Sequence, residues 1–203
     1  MTDLPKNIDA YGEIIAVLEP FIGGVLAGKY RVSSEMSYYD PARKCPDFEH
    51  SLAAMLPTLI TVAREQNLHT LHHSICDPAI APMKKLLGGH WERGGGFLYP
   101  AENGFMDWHT NHNNPGPRIY LVWCEEGGKS CFFTSPDGGK TINKSYEPAG
   151  WSVNVFMLGD EKNPYWHAIS SGGTNRISLG FRHRPHDAAR TVMQGGALFT
   201  GAV

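Results

Sequence analysis

Two histidines in this sequence have the spacing and the neighbours that metal chemistry requires. His109 lies in the stretch MDWHTNHNNPG (106–116), and His167 lies in YWHAISS (165–171). Both stretches are predicted strands, in which side chains two residues apart share a face. If both faces look into one barrel, the imidazoles meet at its mouth. Two imidazoles beside open coordination positions suit a non-haem Fe(II) centre.

An asparagine stands where such a centre normally has its acid. A histidine followed two residues later by Asp or Glu begins the usual set of two histidines and one carboxylate, but here that position is Asn111. We rank four possible completions in this order: the amide oxygen of Asn111, an open position filled by water or another anion, Asp107 from the same strand face, and His112 after a turn in HNNPG.

An arginine and a serine follow on a further predicted strand. Arg176 and Ser178 are two residues apart and therefore share a face. A guanidinium fork matches a carboxylate bidentately, so we expect this pair to bind the carboxylate of a small acid. Arg182, nearer the strand end, is a rival anchor. An internal Asp or Glu paired with Arg176 would look the same in sequence.

The order of these residues resembles the core of Fe(II)/2-oxoglutarate-dependent oxygenases. The resemblance covers about 95–184 and rests on Tyr99, Gly104 and His109 in the first strands, then on the distal His167, and then on an Arg-x-Ser pair at the family's distance, Arg176 and Ser178. It implies Fe(II), 2-oxoglutarate and O2, and oxidative decarboxylation of 2-oxoglutarate coupled to C–H hydroxylation of an unidentified substrate.

The resemblance also implies roles for individual residues. It implies that His109, Asn111 and His167 bind the iron and are the catalytic residues. It implies that Arg176 and Ser178 bind the cosubstrate, with Tyr120 and Tyr99 beside it. Trp123 and Trp166 are further aromatic residues expected near the mouth. Three alternatives stay open: a radical halogenase-type variant with an open iron site, a catalytically inactive jelly-roll binding module, and a cupin-like metal enzyme that does not use 2-oxoglutarate.

The second half of the chain supplies the strands that would position these side chains. Short apolar runs alternate with turn clusters such as NNPG and SPDGG, which predicts a double-stranded β-helix, or jelly roll. The expected strands are 96–100, 105–111, 117–124, 131–134, 140–143, 151–158, 165–171 and 176–183.

The first half is predicted to be helical and to pack on one outer face of the jelly roll. Apolar residues recur at helical spacing over 46–67, which predicts a helix capped by Asp47 and kinked at Pro57. Weaker helical patterns cover 9–20 and 77–87. The glycine-rich stretch 89–97 is expected to be a loop over the mouth. We predict a single domain over 1–203, with a helical support region 1–94, a catalytic core 95–184 and a C-terminal tail 185–203.

Composition narrows the classes of function. The 203 residues carry a net charge of -2 and 41% hydrophobic residues, which argues against nucleic-acid or membrane attraction. We expect a small-molecule or amino-acid-type substrate, and a small metabolite, an amino acid and a protein side chain all stay open. A polar N-terminus predicts a cytoplasmic protein. Cys124 and Cys131 flank a predicted hairpin; a disulfide between them is conceivable, but two buried thiols are expected in a reducing compartment.

Overall fold

The structure is a computed structural model that describes residues 4–32, 38–56 and 58–183. This part of the chain is mainly β, with two five-stranded antiparallel sheets and a few short helices. The strands are β1 (Gln66–Asn67), β2 (His69–Thr70), β3 (Trp91–Tyr99), β4 (Phe105–His109), β5 (Gly116–Cys124), β6 (Cys131–Ser135), β7 (Asn143–Tyr146), β8 (Gly150–Leu158), β9 (Trp166–Ser170) and β10 (Arg176–His183).

The two sheets differ in strand length. One has the order β2-β3-β10-β5-β8 and contains the strands of eight or nine residues; we call it the long-strand sheet. The other has the order β1-β4-β9-β6-β7 and is called the short-strand sheet. The chain crosses between the sheets at most of its turns, so residues distant in sequence come to face one another.

Helices cover the outer faces of both sheets. They are α1 (Gly12–Leu18), α2 (Ile22–Leu26), α3 (Phe48–Met55) and α4 (Asp77–Leu87), with 3-10 helices at Ile8–Tyr11, Glu19–Phe21 and His73–Ile75. The expectation that they pack on one face is wrong, because α3 covers the short-strand sheet while α1 and α4 cover the long-strand sheet. No helix in the described ranges is long and apolar enough to cross a lipid bilayer.

Strand alternation explains the core between α1, α4 and the long-strand sheet. Ile177, Leu179 and Phe181 of β10 are buried among the helices, whereas the residues between them face the other sheet. Each such apolar side chain contributes about 1.5–3 kcal/mol of burial free energy. A second cluster joins α3 to the outer face of the short-strand sheet, with Trp108 donating from Nε1 to the carbonyl of Phe48 at 3.1 Å.

Three predicted elements differ from the observed ones. The strand expected at 140–143 lies further along the chain, as β7 (Asn143–Tyr146). The helix expected over 46–67 ends at Met55, and the chain then runs beside β4 as far as β1. A proline at position 57 cannot donate the N–H that a helix needs; the kink predicted there lies outside the described residues, as does the predicted tail 185–203.

The stretch 89–97 is not a loop, because most of it belongs to β3. Its glycines accommodate a β-bulge where β3 pairs with β10: the register shifts between Gly180 and Phe181, and Gly95 has φ 154°. Such a bulge bends a strand, and glycine tolerates the backbone it needs.

Candidate metal site and cavity

A cavity lies between the inner faces of the two sheets. About 330 Å³ of space not filled by atoms lies in it, and this figure includes space that is open to solvent. Both sheets contribute to its lining, which consists of Phe97, Tyr99, Met106, His109, Tyr120, Phe132, Asn154, Phe156, His167, Ile169, Arg176 and Ser178.

The structure brings the two predicted histidines together. His109 is the last residue of β4 and His167 the second of β9, and the two are direct partners in the antiparallel register. Their ring centroids are 4.0 Å apart at an angle of 52°. Both side chains are buried, with exposed fractions of 4% and 2%.

Each imidazole is held in one tautomer by its own strand. His109 donates from Nδ1 to the carbonyl of Asp107 at 2.8 Å, and His167 donates from Nδ1 to the carbonyl of Tyr165 at 3.1 Å. Because the proton sits on Nδ1 in both rings, both Nε2 atoms keep their lone pairs. This is the tautomer in which histidine binds a metal through Nε2.

Burial keeps both imidazoles neutral. It lowers the pKa of His109 to about 4, although the hydrogen bond to Asp107 works in the opposite direction. Burial, and secondarily the electrostatic cost of protonating two adjacent imidazoles, lowers the pKa of His167 well below its ordinary value. A metal would therefore not have to displace protons from these rings at neutral pH.

The side chain of Asn111 lies beside the two histidines. Its φ of 51° lies in the left-handed region that asparagine tolerates, and its N–H donates to the carbonyl of Thr61 at 2.8 Å. Its side-chain Nδ2 donates to Nε2 of His167 at 3.3 Å. The amide thus donates to the same lone pair of His167 Nε2 through which a metal would bind.

Asp107 does not face the cavity. The expectation that it shares a face with His109 is wrong, because β4 has one extra residue relative to β9 between Met106 and His109. This bulge places Met106 and His109 on the inner face. The Asp107 carboxylate instead accepts the N–H of Trp108 at 2.8 Å, and burial raises its pKa.

His112 also points away from the two histidines. Its ring bonds to the hydroxyls of Thr110 at 2.8 Å and Thr61 at 3.1 Å, and Glu161 lies 3.7 Å from its Nε2. The His112 ring therefore contacts Thr110, Thr61 and Glu161 rather than the two cavity histidines. Within the described ranges, no three His, Cys, Asp or Glu side chains converge as a metal site.

Arg176 is paired with a glutamate of the same chain. Its Nε donates to Oε2 of Glu147 at 2.7 Å and its Nη2 to Oε1 at 2.8 Å, with exposed side-chain fractions of 2% and 4%. Of the two possibilities open in the sequence, the internal acid is the one observed. Sequence reasoning missed Glu147, which lies in a polar turn between β7 and β8; a buried arginine's need for a counter-charge was the only signal.

The two charges of this pair stabilise each other. Burial alone would raise the pKa of Glu147, but the charge of Arg176 and hydrogen bonds from Arg176, Ser130 and Asn154 hold it below its ordinary value. Burial alone would lower the pKa of Arg176, and Glu147 raises it. Both groups therefore remain ionised in the folded protein.

The other residues expected at the cosubstrate line the same cavity. Ser178 and Tyr99 are buried there, and the guanidinium of Arg176 lies 5.0 Å from the centre of the Tyr99 ring. Tyr120 stacks on Phe156 with 5.5 Å between centroids, and Phe156 stacks in turn on Tyr165 at 5.4 Å. This ring stack leads from the long-strand sheet to the neighbourhood of His167.

Three further residues lie away from the cavity lining. Trp123 and Trp166, expected near the mouth, are on the outer faces of their strands and pack with the helices. Arg182, the rival anchor, forms an ion pair with Glu92. All four cysteines are free thiols, and both Cys124 and Cys131 are buried.

The similarity of this chain to known proteins is weak. No protein-family model matches the chain, and no curated protein matches it in sequence. Among solved structures, a Pseudomonas putida prolyl-4-hydroxylase is similar with a TM-score of 0.41 and 20% identity, over 85% of this chain and 99% of that one.

Two further structures are about as similar. A Burkholderia pseudomallei oxidoreductase of the 2OG-Fe(II) oxygenase family has a TM-score of 0.40 and 11% identity, over 66% of this chain and 76% of that one. Drosophila melanogaster CENP-C bound to CAL1 has a TM-score of 0.37 and 11% identity, over 85% and 98%. Scores at this level carry no argument about function.

Proposed function

We propose that the chain is a non-haem Fe(II) protein of the oxygenase type, with its metal on His109 and His167. The observation that carries the proposal is the convergence of two buried, neutral imidazoles whose Nδ1 protons are both tied to backbone carbonyls. A pair of histidines that served only packing would not need both rings held with Nε2 as the unprotonated nitrogen.

The strand order supports a double-stranded β-helix as the scaffold. Strands β3 to β10 divide into β3-β10-β5-β8 and β4-β9-β6-β7, two antiparallel layers with the cavity between them. A double-sheet jelly roll consists of eight strands in two such layers. In this arrangement the rigid strands, rather than loops, hold the metal ligands.

The side chains at the site fit a metal ion in part. His109 and His167 would hold it through Nε2, and Asn111 would complete the set through Oδ1 after its amide turns over. Bound Fe(II) supplies a site at which O2 can be activated. The protein's own residues supply neutral ligands, fixed ring orientations and a largely apolar surround.

The 2-oxoglutarate part of the expectation does not fit the residues present. Arg176 was to bind the distal carboxylate, but Glu147 already occupies its guanidinium fork. We therefore derive no step through 2-oxoglutarate. Oxidation of a small-molecule or amino-acid-type substrate by O2 stays part of the proposal, with the substrate itself supplying the electrons, and halogenation is less favoured because the Asn111 amide lies beside His167, close to the position that chloride would need.

A second candidate function is a binding module that holds no metal. It is favoured by the hydrogen bond from Asn111 to Nε2 of His167, because this bond satisfies in the protein itself the lone pair that a metal would take. In such a module the two histidines and the asparagine would form a small polar network at the mouth of a ligand cavity.

Anaerobic titration of the metal-free protein with Co(II) as a spectroscopic stand-in for Fe(II) separates the two candidates. The proposal predicts one equivalent bound with visible d–d bands, and loss of the bands in His109→Ala and His167→Ala. His73→Ala, a change at an exposed histidine, serves as the control and should bind normally. Wild-type protein that binds no Co(II), Fe(II) or Mn(II) would establish the binding module instead.

A further inference from the structure

Arg176, the guanidinium that lines the cavity, is paired with a carboxylate supplied by the chain itself. We propose that Glu147 is a specificity-determining residue that neutralises Arg176, keeps dicarboxylates such as 2-oxoglutarate from binding there, and restricts the cavity to ligands without a carboxylate beside Arg176. The inference rests on the proposed function, since it concerns the ligand of the same cavity, but it is tested by a separate measurement.

Every strong acceptor direction of the Glu147 carboxylate is used. Oε2 accepts from Arg176 Nε at 2.7 Å, from the hydroxyl of Ser130 at 2.7 Å and from the thiol of Cys124 at 3.6 Å. Oε1 accepts from Arg176 Nη2 at 2.8 Å and from Asn154 Nδ2 at 3.0 Å. A carboxylate so fully bonded is part of a built site rather than a surface group that has folded inwards.

The backbone holds Glu147 in place as well. Its N–H donates to the carbonyl of Ser130 at 3.0 Å, and its carbonyl accepts from Gly128 at 2.9 Å. The neighbouring β8 pairs with β5 along its whole length of nine residues. An incoming anion would therefore have to displace a side chain whose main chain is anchored on both sides.

The guanidinium offers too little to a second carboxylate. Its bidentate edge, Nε and Nη2, is taken by Glu147, and among the described residues its buried Nη1 has no hydrogen-bond partner. One remaining nitrogen cannot grip a carboxylate bidentately. A second anion would also lie beside the charge of Glu147, and two carboxylates sharing one site repel each other.

The rest of the lining suits an uncharged ligand. Arg176 and Glu147 cancel each other, and the other polar groups away from the two histidines are the hydroxyls and amide of Tyr99, Tyr120, Asn154 and Ser178. Apolar side chains make up the remainder of the wall: Phe97, Met106, Phe132, Phe156 and Ile169. The ligand class is thus a mostly apolar molecule with one or two hydrogen-bonding groups.

Calorimetric titration with two anions tests the proposal. 2-Oxoglutarate can chelate a metal as well as bind an arginine, whereas glutarate has the same two carboxylates but no keto group for chelation. Each is titrated into wild type, Glu147→Gln and the double variant Glu147→Leu/Arg176→Met, once with Mn(II) and once with a chelator. Far-UV circular dichroism verifies that each variant is folded.

We expect wild type and the double variant to bind 2-oxoglutarate with affinities within twofold of each other, and neither to bind glutarate measurably. Glu147→Gln, which frees the positive charge of Arg176 but keeps the side-chain shape, should bind glutarate measurably and should gain at least tenfold in affinity for 2-oxoglutarate. The chelator arm makes this result independent of whether the protein binds iron.

Two results would overturn the proposal. One is a loss of tenfold or more in 2-oxoglutarate affinity in the folded double variant, which would mean that Arg176 binds the dicarboxylate in wild type. The other is a folded Glu147→Gln protein with no gain for either anion. If Glu147→Gln does not fold, the comparison of wild type with the double variant decides alone, because replacing both partners leaves no buried unpaired charge.

Discussion

The ring centroids of His109 and His167 are 4.0 Å apart, and each imidazole donates from Nδ1 to the backbone carbonyl two residues before it. The same local hydrogen bond thus fixes the tautomer on both strands. Because it needs only the backbone and the ring, it does not depend on any other side chain. The site is therefore as rigid as the two paired strands that form it.

Restoring the missing acid should strengthen metal binding. Asn111→Asp replaces the amide beside His167 with a carboxylate, at a left-handed backbone position that Asp also tolerates. A unit negative charge beside a divalent ion should raise Co(II) affinity at least about tenfold, measured by competitive titration. Asn113→Asp makes the same change in charge at an exposed neighbour. Equal gains in both variants would mean that Asn111 does not adjoin the metal.

The buried histidines should make the metal-free protein sensitive to mild acid. The folded pKa of His109 is about 4, below its unfolded value near 6.5. The unfolded chain therefore takes up the proton first, and stability is full above pH 6.5 and falls as the pH drops towards 4. The loss from this group is about 3 kcal/mol, measurable by urea unfolding.

The variant His109→Gln isolates this effect because glutamine does not titrate. Its free energy of unfolding should change less between pH 6.5 and pH 4 than that of wild type, while the exposed-site control His73→Gln should behave as wild type does. An identical pH profile for wild type and His109→Gln would contradict a buried, neutral imidazole at this position.

The buried ion pair should show strong coupling in a double-mutant cycle. Glu147→Leu leaves a buried guanidinium without a partner and should cost about 3–5 kcal/mol, whereas Glu147→Leu/Arg176→Met should recover most of it. The surface pair Glu49–Lys144, which has a similar 2.7 Å distance but exposed side chains, provides the comparison, with a coupling of at most about 1 kcal/mol. Couplings of similar size would mean that the inner pair is well solvated.

The strands and the histidines were accessible from sequence because the signals for them are local. Turn clusters end each apolar run, so β5, β6, β8 and β10 lie within one or two residues of their predicted bounds. Alternation within β9 correctly placed His167 facing inwards.

Other features depend on contacts that a sequence pattern does not record. One extra residue in β4 turned Asp107 away from His109, and a bulge is set by the pairing of two strands rather than by either one. Glu147 lies between strands in a stretch with no periodicity, and only the fold brings it to Arg176, 29 positions further on. The glycines of β3 predict a loop when the sequence is taken alone. Their role in the β-bulge appears only where β3 pairs with Gly180 of β10.

Gly180 lies close to the stacked rings of Tyr120 and Phe156. Gly180 lies on the inner face of β10, and an added Cβ would be 2.7 Å from Cε1 of Tyr120. Gly180→Ala should push Tyr120 off Phe156 and destabilise the protein by about 1–3 kcal/mol, measured by thermal unfolding. Tyr120→Leu in the same chain should relieve the clash, so the double variant should lose less than the sum of the single changes. Gly23→Ala, in α2 with nothing within 4 Å of its added Cβ, should not destabilise. Strict additivity of Gly180→Ala and Tyr120→Leu would mean that the strand, rather than the ring, absorbs the methyl group.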